Sequence, residues 1–476
     1  MKARSAHPPF TSTPGYVCRI LTAIPDLTAL HAREPRRYPH LLASTARGTP
    51  RARYDILFAF PGDTLTLEAN LRLRRNGQPL GPGDFLDAFD RLWRAQAVEA
   101  TATTDDAPPF TGGWFVYLGY ELVSEIEPTV AGIRHDPGLP VASATYFPAA
   151  IIIDHAQQRT LLVCAAERAD ELLPILQQDA QCSSATPGNA VVAASVQEEE
   201  AGRFLEQVRR AQEYIRAGDV FQVNLSRRWR VRLRDDVAAI ELYRRLGSAN
   251  PAPFAGFMTF ADGRAFISSS PERLVEVRGG LVRTRPIAGT HPRGADPEQD
   301  RQLSRELLRH PKERAEHVML IDLERNDLGR VCRSGTVRVT EFMTLESYRH
   351  VHHIVSEVGG ELRDDVTPAE TIRAVFPGGT ITGCPKIRCM QIIAELEQAP
   401  RGAYTGSMGY INRDGSLDMN ILIRTLVQNG RDIDLRAGAG IVADSVPERE
   451  LAETRAKARG MLAALGVTTS TGEASL

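Results

Sequence analysis

At 476 residues, with 42% hydrophobic and 24% charged side chains and a formal net charge of −2, the chain has the size for two domains or one large intertwined fold. The near balance of charge excludes the electrostatic footprint of a nucleic-acid or anionic-membrane partner. Six scattered cysteines form neither a CxxC pair nor a Cys/His cluster at zinc spacing, no stretch approaches ~20 apolar residues, and the N-terminus lacks the apolar run of a signal peptide, so a reducing, cytoplasmic setting is expected.

In chain order, strand formers dominate RARYDILFAF (51–60), TGGWFVYLGYEL (111–122) and ATYFPAAIIID (144–154), broken by Gly and Pro. Residues 15–170 are therefore predicted to be mainly sheet. Residues 171–197 turn polar and poor in aromatics, which predicts a connector. Beyond it, over 198–468, Phe204, Val208, Ala211 and Ile215 recur at helical spacing and Gly218 sits where that helix would stop. The runs 220–233, 265–270, 274–277, 281–289 and 336–342 alternate like strands, and 300–322, 367–375, 384–397 and 447–466 are predicted helices. Strands cluster instead of alternating singly with helices, which favours an α+β class with antiparallel sheets over a doubly wound fold.

Two segments have a pattern that could carry chemistry. In VPERELAETRAKARGML, Glu450, Glu453 and Lys457 fall at i, i+3 and i+7 and share one helix face, and Glu313 and Glu316 do the same ahead of an apolar run. If the two helices meet, four carboxylates converge, a donor set suited to a hard cation. On spacing alone, a solvated salt-bridged face explains them as well. Glycines in FPGGTITGCPK (376–386) and RAGAGIVADS (436–445) leave bare backbone between strand-like and helix-like runs, where N–H groups can be aimed at an anion or can simply serve tight turns. Neither segment matches a P-loop or GxGxxG fingerprint, and no nucleotide cofactor is implied.

The order of motifs goes further. SPERL (270–274), TRPIAGTHPRG (284–294), ERAEHVMLIDLERNDLGRVC (313–332), SYRHVHHIVS (347–356), FPGGTITGCPK, LIRT (422–425) and AGAGIVADSVPERELAETRAKA (437–458) resemble, in sequence and in order, the chorismate-binding enzyme family. Its members include anthranilate, aminodeoxychorismate, isochorismate and salicylate synthases. The resemblance is dense over about residues 200–465 and loose over 40–150. It implies a large intertwined antiparallel β-sandwich flanked by helices, with 198–468 as the catalytic region. It also implies Mg²⁺ held directly or through water by Glu316, Glu450 and Glu453, with Glu313 beside them. Tyr404, Arg424 and Lys457, with the amides near Gly438 and Gly440, match carboxylate-binding positions, and Thr290 and Thr380 match pocket-lining ones. Glu272 corresponds to the general acid that protonates a departing C4 hydroxyl, and His353 to a histidine near the substrate ring.

Within the family, hydrating members carry a basic lysine where this chain has Gln222, and an amide cannot take a proton from water. An aminating enzyme is the implied class, with catalytic residues Glu272, His353 and Gln222. Asn224, Arg273, His352, Gly379, Ile381 and Thr382 resemble the aminodeoxychorismate synthase component I pattern, whose product leads to 4-aminobenzoate and folate. Ala288 counts against it, standing where that pattern has a nucleophilic lysine, and leaves open anthranilate synthase component I, which forms anthranilate and pyruvate. Ala43, in LLAS, replaces the glutamate of the LLES motif tied to tryptophan feedback. A silent chorismate-binding regulatory protein would be expected to have lost Glu272 or a metal carboxylate. Neither Cys384 nor Cys389 lies in a glutaminase-type nucleophile elbow, so the expected partners are ammonia or a separate glutamine amidotransferase subunit, with an aminodeoxychorismate lyase downstream.

Overall fold

The segment Tyr54–Ala59 shows how the chain builds its layers. Side chains alternate across a strand, and here both faces are apolar: Ile56 and Phe58 join one hydrophobic cluster, Leu57 and Ala59 another. The neighbouring strand Ala149–Asp154 divides the same way, with Ala150 and Ile152 facing one side, Ile151 and Ile153 the other. Strands of this kind are stable only in the middle of a stack. The computed structural model, which describes residues 10–467 apart from 14, 47–51, 82, 100–105, 182–190, 295 and 348–350, places them in one of two antiparallel sheets, of 13 and 12 strands.

The inner layer lies where the sheets face each other. Phe58 and Phe266 of the larger sheet meet Phe115 and Tyr117 of the smaller, the Phe58 and Phe115 rings edge to face at 5.2 Å and the Tyr117 and Phe266 rings at 4.5 Å. Helices close the outer faces. Leu172 and Leu176 of Ala169–Gln181, Leu246 of Ala239–Ala249 and Met461 of Pro447–Ala464 cover the larger sheet, and Phe85 and Phe89 of Phe85–Arg94 with Ile372 of Pro368–Val375 cover the smaller.

In each sheet the strands of residues 15–170 and those of residues beyond 198 form separate contiguous blocks that meet at one seam. The seam in the larger sheet is His40–Ala43 against Phe254–Thr259, in register Leu41 to Phe257, and in the smaller it is Gly113–Leu118 against Ser407–Asn412, in register Val116 to Gly409. The run 144–154 is two strands rather than one. Pro148 ends Ala142–Phe147 in the smaller sheet, and Ala149–Asp154 continues in the larger, so the proline marks the corner at which the chain changes layer.

The stretch 171–197 contains most of the helix Ala169–Gln181 and the edge strand Ala193–Glu198, while 182–190 lie outside the described residues. The helix expected over 300–322 is two, Pro297–Arg309 and Pro311–Gly329. Pro311 forces His310 into extended backbone (φ −64°, ψ 115°), so the second helix starts anew. No helix among the described residues is long and apolar enough to cross a membrane.

Candidate active site

A cavity of about 490 Å³ opens where the strands Gln222–Leu233 and Asp432–Ile441 end beneath the helices Pro311–Gly329 and Pro447–Ala464. Gln222 and Asn224, at i and i+2, present their side chains to it. Asn224 donates its N–H to the Thr382 carbonyl at 2.9 Å, away from the facing strand, so Asn224 and Gly440 form a non-hydrogen-bonded pair. The backbone groups of Gly440, and of Gly438 two residues earlier, therefore point to the opposite edge. There the next strand, Thr425–Asn429, pairs only as far as Leu435. Lys457 Nζ takes the Gly438 carbonyl at 3.0 Å on that edge. The glycines expected in a loop thus sit inside a strand, with donors exposed along an open edge. Side chains would not fit, since a Cβ on Gly438 would lie 2.5 Å from the Tyr404 hydroxyl and one on Gly440 would run into the Gln222 amide.

Opposite this edge, two turns are tied back to back. Ile421 N–H donates to the Glu272 carbonyl at 3.0 Å and Ser269 N–H to the Arg424 carbonyl at 3.1 Å, so each of the two residues is held by the segment that leads into the other. Arg424 occupies the left-handed region at φ 53°, an uncommon conformation for a non-glycine residue and one that clusters at functional sites. Among the described residues it forms no ion pair, while Arg436 beside it is committed to Glu397 at 3.2 Å. Burial lowers the pKa of Arg424, which remains a cation open to an anion.

Glu272 is 5% exposed, and burial pushes its pKa up to about 7 against the opposing pull of the Thr380 hydroxyl, the Ile287 N–H and Lys457. A carboxyl so placed can carry a proton near neutrality. His353 is driven down to about 3 by burial and by the charge of Arg424, which makes it a neutral imidazole at any working pH.

The remaining wall is acidic. Glu313 and Glu316 on one helix and Glu450 and Glu453 on the other border the cavity. Gln222 Nε2 donates to Glu316 at 2.7 Å, and Lys457 pairs with Glu453 at 2.7 Å. Among the described residues no three His, Cys, Asp or Glu side chains stand close enough to clasp a metal ion, so the expected convergence is a shared wall instead of a closed cluster. In kind the donors fit a hard cation, being carboxylate oxygens from two helices facing one space.

Every residue given a catalytic, substrate-binding or metal-binding role in the sequence borders this cavity except Thr290, whose side chain is not described and whose backbone pairs with His353. Ala288 is buried but does not border it, whereas Ile287 and Gly289 on either side do. Gly289 is the irregular residue of that strand, at φ 72°, and the Glu313 carboxylate fills the place of its Cβ. Arg436 was missed, although the two-residue period of the strand that holds Gly438 and Gly440 extends to it.

A family model described as chorismate binding enzyme matches residues 52–463. The chain is 40% identical over 441 residues to aminodeoxychorismate synthase component 1 of Bacillus subtilis (strain 168), covering 90% of this chain and 92% of that protein. It is 41% identical over 408 residues to anthranilate synthase component 1 of Streptomyces coelicolor (strain ATCC BAA-471 / A3(2) / M145), covering 81% and 79%. Among solved structures, anthranilate synthase component I from Streptococcus pneumoniae TIGR4 superposes with a TM-score of 0.76 at 32% identity, over 87% of this chain and 93% of that one. Fold, cavity and sequence thus define a chorismate-utilising enzyme architecture. The chain belongs to the chorismate-binding enzyme family.

Proposed function

We propose that the protein catalyses the Mg²⁺-dependent amination of chorismate with ammonia to 4-amino-4-deoxychorismate, supplying 4-aminobenzoate and folate synthesis. The observation that carries this is the pairing, in one cavity, of a buried glutamic acid near neutrality with an amide where a base on water would be needed. Chorismate brings two carboxylates. Arg424, Lys457 and the Gly438–Gly440 edge offer a guanidinium, an ammonium and backbone donors to them. Glu272 gives its proton to the C4 hydroxyl, which leaves as water with the electron pair of the broken C–O bond. Ammonia forms the new C–N bond and loses one proton, so chorismate and ammonia become the amino product and water.

Mg²⁺ would be held by Glu316, Glu450 and Glu453, with Glu313 beside them. When bound, it would neutralise a substrate carboxylate that the acidic wall otherwise repels. The neutral His353 can orient the ring region but supplies no charge. Ammonia would come from solution or from a separate glutamine amidotransferase subunit, and an aminodeoxychorismate lyase would consume the product.

One observation favours a second reading, conversion to anthranilate and pyruvate: Ala288 offers no nucleophile and does not border the cavity. The deciding experiment incubates the purified protein with chorismate, Mg²⁺ and ammonium and identifies products by mass and fluorescence. Aminodeoxychorismate, yielding 4-aminobenzoate only when a lyase is added, is expected. Direct release of fluorescent anthranilate with pyruvate would select the second reading.

A further inference from the structure

Two arginines border the cavity, Arg424 and Arg436, and a dianion entering it meets both. They are held differently. Arg436 is 7% exposed and its guanidinium is committed to the protein. Nε and Nη2 donate to the Ser226 hydroxyl at 3.1 and 3.0 Å, Nη1 donates to the Pro400 carbonyl at 3.3 Å, and Nη2 also donates to Glu397 at 3.2 Å. These bonds take up most of the donors a guanidinium has.

The commitment is organised by Glu397, the last residue of the helix Lys386–Glu397, which is 3% exposed and does not border the cavity. Its carboxylate accepts the Ser226 N–H at 2.8 Å and the Ser226 O–H at 2.9 Å. A serine hydroxyl has a single proton, so with that proton on Glu397 its oxygen is turned to Arg436 as an acceptor. Arg401 closes the other side, donating to Glu397 from Nη2 at 2.6 Å and from Nε at 3.0 Å. The same guanidinium reaches the carbonyls of Asn224 at 2.8 Å and Ile381 at 3.3 Å, two residues that border the cavity. Burial alone would raise the Glu397 carboxyl, but the Arg401 and Arg436 guanidiniums hold it below the usual carboxylate range, so it stays an anion at neutral pH. One buried carboxylate thus ties together two guanidiniums and, through them, three segments of the cavity wall.

We infer that Glu397 is a positioning residue that decides which arginine receives the substrate's carboxylate: it retains Arg436, directly and through Ser226, and leaves Arg424 as the receiving guanidinium. Glu397 touches no substrate and acts through Arg436 and Arg401. Without its charge, Arg436 is free to turn to a carboxylate of chorismate, which is then bound more tightly but out of line with Glu272. The inference rests on the proposed binding of chorismate in this cavity, and the test separates it from the amination reading.

The first arm needs no turnover. Chorismate affinity is measured by calorimetry, with Mg²⁺ and without ammonia, for wild type, Glu397→Gln, Arg436→Gln and the double variant. Glu397→Gln is expected to tighten binding about threefold or more in the wild-type background and to change nothing once Arg436 is glutamine. Removal of a negative charge alone would tighten binding equally in both backgrounds. That result, or unchanged or weaker binding in Glu397→Gln, overturns the proposal. The second arm is steady-state chorismate consumption with Mg²⁺ and ammonium, in which Glu397→Gln should lower kcat about tenfold and lower KM as well, because the substrate is held in the wrong register. A merely structural role would lower kcat with KM unchanged or raised, and that outcome also overturns the proposal. A wild type that binds chorismate without consuming it fails the amination reading alone, and the binding cycle still decides on Glu397. If Glu397→Gln does not fold, Glu397→Asp takes its place in the cycle, since it keeps the charge and is one methylene too short to span both guanidiniums. Tighter binding that depends on Arg436 supports the proposal there, and unchanged binding overturns it.

Discussion

The cavity has two unlike walls. The strand-and-turn wall, with Arg424, Glu272 and the Gly438–Gly440 edge, is fixed by backbone hydrogen bonds between neighbouring turns and by strand register. On the helix wall, which carries Glu313, Glu316, Glu450 and Glu453, the contacts are between side chains, Glu316 with Gln222 and Glu453 with Lys457. The first wall is rigid enough to orient a substrate, and the second can regroup around an ion. In the proposed reaction, preorganisation is therefore concentrated where charge would develop, and adaptability where the proposed cation would enter.

That contrast can be broken from either side. The largest effect is expected from the rigid wall: Glu272→Gln should slow loss of the C4 hydroxyl by about 10²-fold or more with little change in chorismate affinity, measured by single-turnover kinetics and calorimetry. A rate near wild type would remove Glu272 from the chemistry. On the helix wall, Glu453→Gln should abolish the Mg²⁺ dependence of turnover, and an unchanged response to titrated Mg²⁺ would sink the metal assignment. Gly440→Ala should weaken chorismate binding by about tenfold, because the new methyl displaces the Gln222 amide, and normal affinity would show that the open edge is not used. The smallest effect is expected from Gln222→Lys. A trace of isochorismate should appear in its product mixture, and none would mean that the side chain does not reach the attacked carbon.

Away from the site, the structural half of the molecule should respond in stability alone. Phe58→Ala in the layer between the sheets should destabilise by about 3–5 kcal/mol, read by denaturant unfolding, with kcat of the remaining folded protein unchanged.

Much of this was legible in the residues. The helix Ala201–Arg216 followed from Phe204, Val208 and Ala211 at helical spacing, and the strand Ala265–Ser270 from its residue types. The cavity residues were legible because the motif order ties them to one family, which the family match bears out at the level of chorismate-binding enzymes. What escaped has physical reasons. Sheet order depends on long-range pairing, so nothing local says that His40–Ala43 lies beside Phe254–Thr259. Pro148 changes the chain's layer without altering the apolar pattern around it. Glu324 sits in a run of charged residues, ERND, that looks solvated, and only the packing of Gly379 above it reveals burial.

The most direct test of the central claim, a buried acid serving an otherwise preformed anion site, is the pH dependence of kcat/KM for chorismate at saturating Mg²⁺ and fixed free ammonia. The proposed acid acts in its protonated form and burial raises Glu272 to about 7, so on this account the rate should hold on the acid side and fall about tenfold per pH unit above that point. A profile that stays level from pH 6 to 9 would contradict the account.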